Sequence, residues 1–306
     1  WGGRPAVDRI EYVAISESNS RMLALQGGDV DISVNLPPQG AAVVGNDASL
    51  EVKIATPSSM NFLFVNHESP AMQDVLVRQA ITTAIDRQAL VDSLAEGNAV
   101  AASTIFPPGF LSCSSINGYK YDPEAARNLL KEAGYEDNNG DGIVERDGQP
   151  LELVLQTYPE RPLLPPMLVA IQSMLKDIGV GSDVQIVDYT LASQGGYDLF
   201  GYQNSTITTG DPHWALSRQY LTEGDENRGN FSSPKVDELI GLLADATDTG
   251  QRQQAACEAL KAGHDEVALI PVIFPNLLYG ISNQVDWPGE PHPVYLYFIN
   301  NKIGLK

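Results

Sequence analysis

Apolar and polar positions along the 306-residue chain switch between a period near two and a period near 3.6, and that switching predicts the elements. Ile10, Tyr12-Val13 and Ile15 form a β-type run. Asn19 or Ser20 caps a short helix through Met22, Leu23 and Leu25, which stops at Gly27-Gly28. Residues 29–34 alternate as a half-buried strand does, Pro37-Pro38 break the run, and 50–55 make another strand. A more apolar strand covers 60–66. Asp74 begins an amphipathic helix with Val77, Ala80-Ile81 and Ala84-Ile85 on one face, and Asp86 caps a second over 87–95. Residues 103–121 carry Pro107-Pro108-Gly109 and several serines, and read as an ordered loop.

Asp122-Pro123-Glu124 supplies a capping carboxylate, a proline at the first helical position and an acid in the first turn, so a helix runs on to Gly134. A Gly/Asp/Asn-rich loop at 137–149 leads into a strand at 151–156. Pro165-Pro166 open a helix through Leu168, Ile171, Met174-Leu175 and Ile178. Strands at 184–187 and 197–202 follow, then a polar loop. Ser233-Pro234 start a helix, a second covers 251–267, and strands at 269–274, 278–281 and 295–299 finish the chain. Helices alternating with strands argue a mixed α/β protein without internal repeats.

The length exceeds one typical domain, and 43% apolar with 19% charged residues reads as ordinary globular protein. No run of eighteen uncharged apolar residues offers a membrane helix. Nineteen basic against 39 acidic residues leave a net charge of −20, which repels phosphate backbones and anionic membranes and puts nucleic-acid roles aside. Cys113 and Cys257 form either one bridge in an oxidising compartment or two buried thiols, and sequence separation does not decide between them. The opening Trp1-Gly2-Gly3-Arg4-Pro5 carries no initiator methionine and no apolar secretory core, so a processed or truncated chain is expected.

Catalytic templates are missing: there is no Gly-x-Ser-x-Gly, Gly-x-x-x-x-Gly-Lys, Gly-x-Gly-x-x-Gly or His-Glu-x-x-His. His67, His213, His264 and His292 lack metal-ligand spacing. A hydrolase built on His213 and Asp211 is the enzyme alternative. Asp137, Asn139, Asp141, the Ile143 carbonyl and Glu145 offer oxygen at alternate positions around Gly140 and Gly142, the pattern of a structural calcium loop. Gly148 stands where a bidentate glutamate is wanted, and a tight Asx/Gly turn needs no ion. After the strand at 197–202, residues 203–209 are a run of uncharged hydrogen-bonding groups, followed by Asp211-Pro212-His213-Trp214. Amides and hydroxyls beside aromatics suit recognition of a polar organic molecule; a plain surface loop anchored by Trp214 is the other reading.

In order along nearly the whole chain, these segments resemble one family: the large extracytoplasmic family 5 solute-binding proteins of peptide/nickel-type ABC importers. Trp1-Gly2-Gly3-Arg4-Pro5 with Ile10 looks like its entry motif, and 23–31 resembles its Gly-x-hydrophobic-Asp turn. Phe64-Val65-Asn66, Pro70, Val77-Arg78-Gln79-Ala80-Ile81 and Ala84-Ile85-Asp86-Arg87 are similar to its most distinctive block. Tyr121-Asp122-Pro123-Glu124-Ala125-Ala126 through Ala133-Gly134-Tyr135 resemble its Tyr-Asp-Pro helix motif, and Phe231-Ser232-Ser233-Pro234 with Asp237 and Arg252 resemble its closing helices.

The resemblance implies a periplasmic-binding-protein-like, two-lobe α/β fold of the large peptide-binding class, present as a C-terminal portion. Residues 1–57 and 277–306 would form part of lobe I and 58–276 lobe II. It implies a monomeric, non-enzymatic receptor, lipid-anchored or free, on the periplasmic or extracellular face of the cytoplasmic membrane. Such a receptor closes on a peptide or similar small solute and passes it to an ABC permease. A nickel- or metal-chelate receptor and a non-transport surface protein sharing the fold are the alternatives. No cofactor is implied beyond the candidate calcium. Asn61, Tyr202, Asn204, Trp214, Tyr295 and Tyr297 are the expected ligand-binding set. Ser205 stands where peptide-binding relatives tend to carry an acid, and Thr206 and Gly210 stand where nickel-type relatives carry tryptophan and tyrosine.

Overall fold

In the computed structural model, residues 3–55, 57–192, 194–292 and 299–306 are described. The chain forms two compact units, one of Trp1–Ser58, Ala95–Ala99 and Pro275–Lys306, the other of Ser59–Leu94 and Val100–Phe274. In chain order the elements are α1 (Ser18–Gly27), β1 (Ile32–Val34), α2 (Gly40–Gly45), β2 (Leu50–Ala55), β3 (Ser59–Val65), α3 (Val75–Thr83), α4 (Arg87–Leu94) and β4 (Ala99–Ala101). There follow α5 (Pro123–Glu132), the two-residue strands β5 (Glu145–Arg146) and β6 (Gln149–Pro150), β7 (Glu152–Thr157), α6 (Leu164–Asp177), β8 (Gly181–Ile186), α7 (Tyr189–Ala192) and β9 (Leu199–Ser205). The chain ends through α8 (Pro212–Gln219), α9 (Pro234–Asp245), α10 (Thr249–Asp265), β10 (Leu269–Pro275), β11 (Leu277–Ser282), β12 (Val285–Asp286) and β13 (Gly304–Leu305).

In the first unit β11 lies between β1 and β2, antiparallel to both. Alternation along β11 sends its residues to two different cores. Leu278 joins Leu25, Leu36 and Val44 under α1 and α2, while Tyr279 and Ile281 pack with Ala55, Trp287 and Ile303. Gly280 lies on the helix side: a Cβ there would stand 2.4 Å from Leu25 Cδ2. Segment 95–99 falls inside the run 58–276 that the sequence assigns to one lobe, yet it goes with this unit. Asn98 Nδ2 donates to the Pro38 carbonyl (3.4 Å), and the Asn276 amide donates to the Asn98 carbonyl (3.0 Å).

The second unit holds a six-stranded sheet in the order β4-β10-β3-β9-β7-β8. The pairs β10–β3 and β3–β9 are antiparallel, and β9–β7 and β7–β8 are parallel. Met60 to Val65 and Leu269 to Phe274 are buried without a break, as central strands covered on both faces must be. The helices begin where capping residues place them: Asp74 accepts from Leu76 N, Asp86 from Ala89 N, Asp122 from Ala125 N, and Asp248 from Gln251 N.

Two arginines brace these helices through carbonyl oxygens, Arg78 against the end of α10 and Arg87 against β10. Arg78 donates to the carbonyls of Met72 (2.7 Å), Gln73 (3.0 Å) and Glu266 (2.6 Å from Nη2). Arg87, 6% exposed, donates to Pro271 O, Thr82 O, Ile85 O and Thr82 Oγ1. Burial lowers the Arg87 guanidinium to about 10, so it stays charged at neutral pH.

The structure departs from the sequence expectation at several places. Residues 9–15 form no strand, because period-two alternation alone supplies no hydrogen-bonding edge, and β1 pairs with β11 instead. Loop 137–149 contains the β5–β6 hairpin, and α2 and α7 were not expected. The expected strand at 295–299 lies mainly outside the described residues.

Cys113 and Cys257, 144 positions apart in sequence, are bridged with Cα atoms 5.4 Å apart, which pins the 103–121 loop to α10. Reduction, or Cys257→Ser, is expected to lower the unfolding free energy by about 2–4 kcal/mol, read as a smaller urea midpoint with dithiothreitol. A pH dependence follows from His67, whose Nε2 contacts the Ala268 carbonyl at 3.2 Å. Burial first, and then the charge of Arg78, push its pKa from 6.5 down to about 4. The native ring therefore refuses a proton that the unfolded chain accepts. The stability is complete above pH 6.5 and declines between 6.5 and about 4, by about 3 kcal/mol. His67→Gln is expected to flatten that decline in urea titrations run from pH 7 to pH 4.

Candidate functional site

The β3–β9 register builds the site. Phe62 faces Tyr202, Met60 faces Asn204 and Asn61 faces Gln203, and the pairing continues to Ser59 opposite Ser205. Residues 203–205, the first three of the polar run expected to be a loop, are therefore strand, held in place by the partner strand. Alternation puts Tyr202 and Asn204 on one face and Asn61 and Gln203 on the other. Asn61 is 0% exposed and accepts from Gln203 Nε2 at 2.7 Å, with its own Nδ2 unpartnered. Asn61 is thus not brought together with Tyr202, and as a solute contact it is set aside. On Asn61's face, Gly201 lets α6 approach: an added Cβ would meet Leu168 Cδ1 at 2.6 Å and Thr157 Oγ1 at 3.2 Å.

Tyr202 belongs to a cluster of rings. Its centroid lies 5.6 Å from Phe64 and Phe200, 5.8 Å from Phe62 and Tyr158, and 6.3 Å from Tyr189. The Tyr189 and Tyr202 hydroxyls stand 3.4 Å apart. Burial and the neighbouring Tyr189 raise the Tyr202 phenol, so it is a neutral hydrogen-bonding group at any working pH. Arg228 lies 5.3 Å from the Tyr202 centroid and 5.9 Å from that of Tyr189.

Asn204 leads into a second network. Its Nδ2 donates to Glu226 Oε2, and Glu226 Oε1 receives Arg218 Nη2 at 2.7 Å. Arg218 also pairs with Asp225 at 3.1 Å and stacks over Trp214 at 4.9 Å. Asn204, Glu226, Arg218 and Trp214 thus form one connected, partly exposed group of amide, charge and aromatic face. Thr206 closes the strand end, fully buried with an unpartnered hydroxyl.

Tyr158, Tyr189, Arg218, Glu226 and Arg228 carry no sequence signal as site residues. They come from four separate segments and meet only in the fold. Tyr295 and Tyr297 of the expected set lie outside the described residues. Asp211 caps α8 through the His213 backbone amide (2.8 Å) and pairs with Arg252 (2.7 Å), so its carboxylate is engaged away from the histidine ring. In the candidate calcium loop Asp137 accepts from Gly140 N and Gly142 N, and Asp141 from Ile143 N and Asn139 Nδ2. Those carboxylates are turned onto their own backbone, an Asx-turn arrangement. Among the described residues no three His, Cys, Asp or Glu side chains gather as a metal site. A cavity of about 580 Å³ lies in the first unit beside Tyr12, Val30 and Ile32, and shares no residue with the Tyr202 cluster.

The profile of bacterial extracellular solute-binding proteins, family 5 (middle segment), matches residues 1–227. The chain belongs to this family. Curated relatives include the nickel-binding periplasmic protein of Escherichia coli, 25% identical over 292 residues, which are 91% of this chain and 55% of that protein. A probable di/tripeptide-binding protein of Pseudomonas aeruginosa is 29% identical over 290 residues, 90% of this chain and 52% of that protein. Among solved structures, NikA from Brucella suis in complex with Fe(III)-EDTA superposes with a TM-score of 0.88 at 22% identity, over 100% of this chain and 64% of that one. The fold is that of the family's two-lobe binding proteins, and this chain spans about half the length of the curated relatives it matches. No helix among the described residues is long and apolar enough to cross a membrane, and the Cys113–Cys257 bridge suits the oxidising, extracellular setting in the family's description.

Gly201 supplies a test of how the family 5 strand is seated. Gly201→Ala is expected to cost about 1–3 kcal/mol through the clash with Leu168. A urea midpoint equal to wild type would show that α6 gives way freely.

Proposed function

We propose that this protein is the solute-capturing component of an ABC importer: a monomer that binds a peptide or similar small polar solute outside the cytoplasmic membrane and hands it, unchanged, to the permease. The observation carrying this reading is the Tyr202–Asn204 face. There an aromatic cluster and an amide–charge network lie two residues apart on one strand, in a chain of family 5. Aromatic faces bury the apolar body of a solute, and amides and charged groups fix its polar ends. No covalent step is part of the reading: the Asp211 carboxylate is committed to the α8 cap and to Arg252.

A metal-chelate receptor is the second reading, supported by the likeness to the E. coli nickel-binding protein. With no cluster of three metal-ligating side chains among the described residues, the metal on this reading arrives wrapped in its own chelator.

The test is calorimetry on the full-length protein against a tripeptide library and against nickel(II)–L-histidine. The outcome expected is heat from the peptides, and recovery of the bound peptide intact by mass spectrometry. Tyr202→Ala should weaken that binding about ten- to a hundred-fold. Heat from the chelate alone would select the second reading, and a cleaved peptide would sink both.

A further inference from the structure

Acidic residues outnumber basic ones two to one in this chain, 39 against 19, so a partly buried arginine has carboxylates in plenty from which to draw a partner. Arg218 takes two of them, Asp225 and Glu226. Arg228, in the loop that follows α8 and carries Asp225 and Glu226, has none within 4.0 Å among the described residues. Its one side-chain hydrogen bond there runs from Nη2 to the Tyr189 hydroxyl, 3.0 Å, and its Nε is buried without a partner. A guanidinium carries five donors in a planar fork shaped for a carboxylate, and most of this fork is unused.

The backbone around it is firmly held. Tyr197 Oη donates to the Arg228 carbonyl at 2.7 Å, and the His67 amide donates to the Gly229 carbonyl at 2.8 Å. Gly229 lies so tightly on β3 that an added Cβ would stand 2.1 Å from Val65 O. Arg228 is therefore fixed beside the faces of Tyr189 and Tyr202, 5.9 and 5.3 Å from their centroids. The neighbouring acids, Asp225 and Glu226, are occupied by Arg218 and Asn204.

We propose that Arg228 is the anchor for a carboxylate of the solute, held by the open guanidinium fork while the body of the solute lies on Tyr202 and Tyr189. This rests on the solute-capture reading above and narrows it to solutes bearing a carboxylate. That carboxylate comes either from a peptide C-terminus or from an arm of a metal chelator.

Matched probes separate these sources and test the anchor on the full-length protein: tripeptides as free acids against their C-terminal amides, and nickel(II)–L-histidine against nickel(II)–histamine, which lacks the carboxylate. Wild type is expected to prefer the acid of one pair by about ten-fold or more. In Arg228→Gln that preference should fall to about one, and Arg228→Lys should restore part of it. The ratio is the readout because a merely structural loss would weaken both members of a pair together. Equal binding of acid and amide by wild type, or a preference surviving in Arg228→Gln, overturns the anchor while leaving the receptor reading intact. Failure of wild type to bind any of the four probes overturns the receptor reading and the anchor with it.

Discussion

The antiparallel register between β3 and β9 is the constraint on which the rest depends. It sets Phe62 against Tyr202 and Met60 against Asn204, and so decides which side chains share a face. A slip of one residue would turn Tyr202 into the face packed by α6 and bring Gln203 out in its place. The slip is prevented from both sides: β3 is buried through Met60–Val65, and at Gly201 of β9 Leu168 leaves no room for a Cβ.

Charge is handled in two ways in the second unit. Arg78 and Arg87 are buried against backbone carbonyls, Arg78 tying α3 to the end of α10 and Arg87 tying α4 to β10, with the buried guanidiniums repaid by several hydrogen bonds each. Near the candidate site the arrangement differs. Arg218 is neutralised by Asp225 and Glu226, and Arg228 rests on aromatic faces with no acid beside it among the described residues. The first kind of arginine fixes the fold. The second leaves positive charge available beside Tyr202 on a protein whose net charge is strongly negative.

Much of the fold was legible. Asp74, Asp86 and Asp122 cap the helices the sequence assigns to them, and the strongly apolar stretches at 60–65 and 269–274 are the central strands. The site was legible in part. Asn204 and Trp214 are joined through Glu226 and Arg218, and Tyr202 lies two residues from Asn204 on the same face in its own cluster of rings, whereas Asn61, on the strand beside them, points to the opposite face. The polar run 203–205 looked like loop because its residues favour turns; cross-strand bonding to residues 59–61 overrides that preference. The run 10–15 looked like strand and is not, for want of an edge to join. Cys113 and Cys257 left two outcomes open until their Cα atoms were found 5.4 Å apart.

Period and capping act over a few residues, so the sequence by itself determined where most helices and strands begin and end, and the ordered motifs determined the family. The face on which each strand residue lies, the meeting of Tyr158, Tyr189, Tyr202 and Arg228, and the absence of an acid beside Arg228 among the described residues were decided by the tertiary structure alone. These relations join residues tens to more than a hundred positions apart. No local pattern encodes them, because they exist only once buried strands have selected a register.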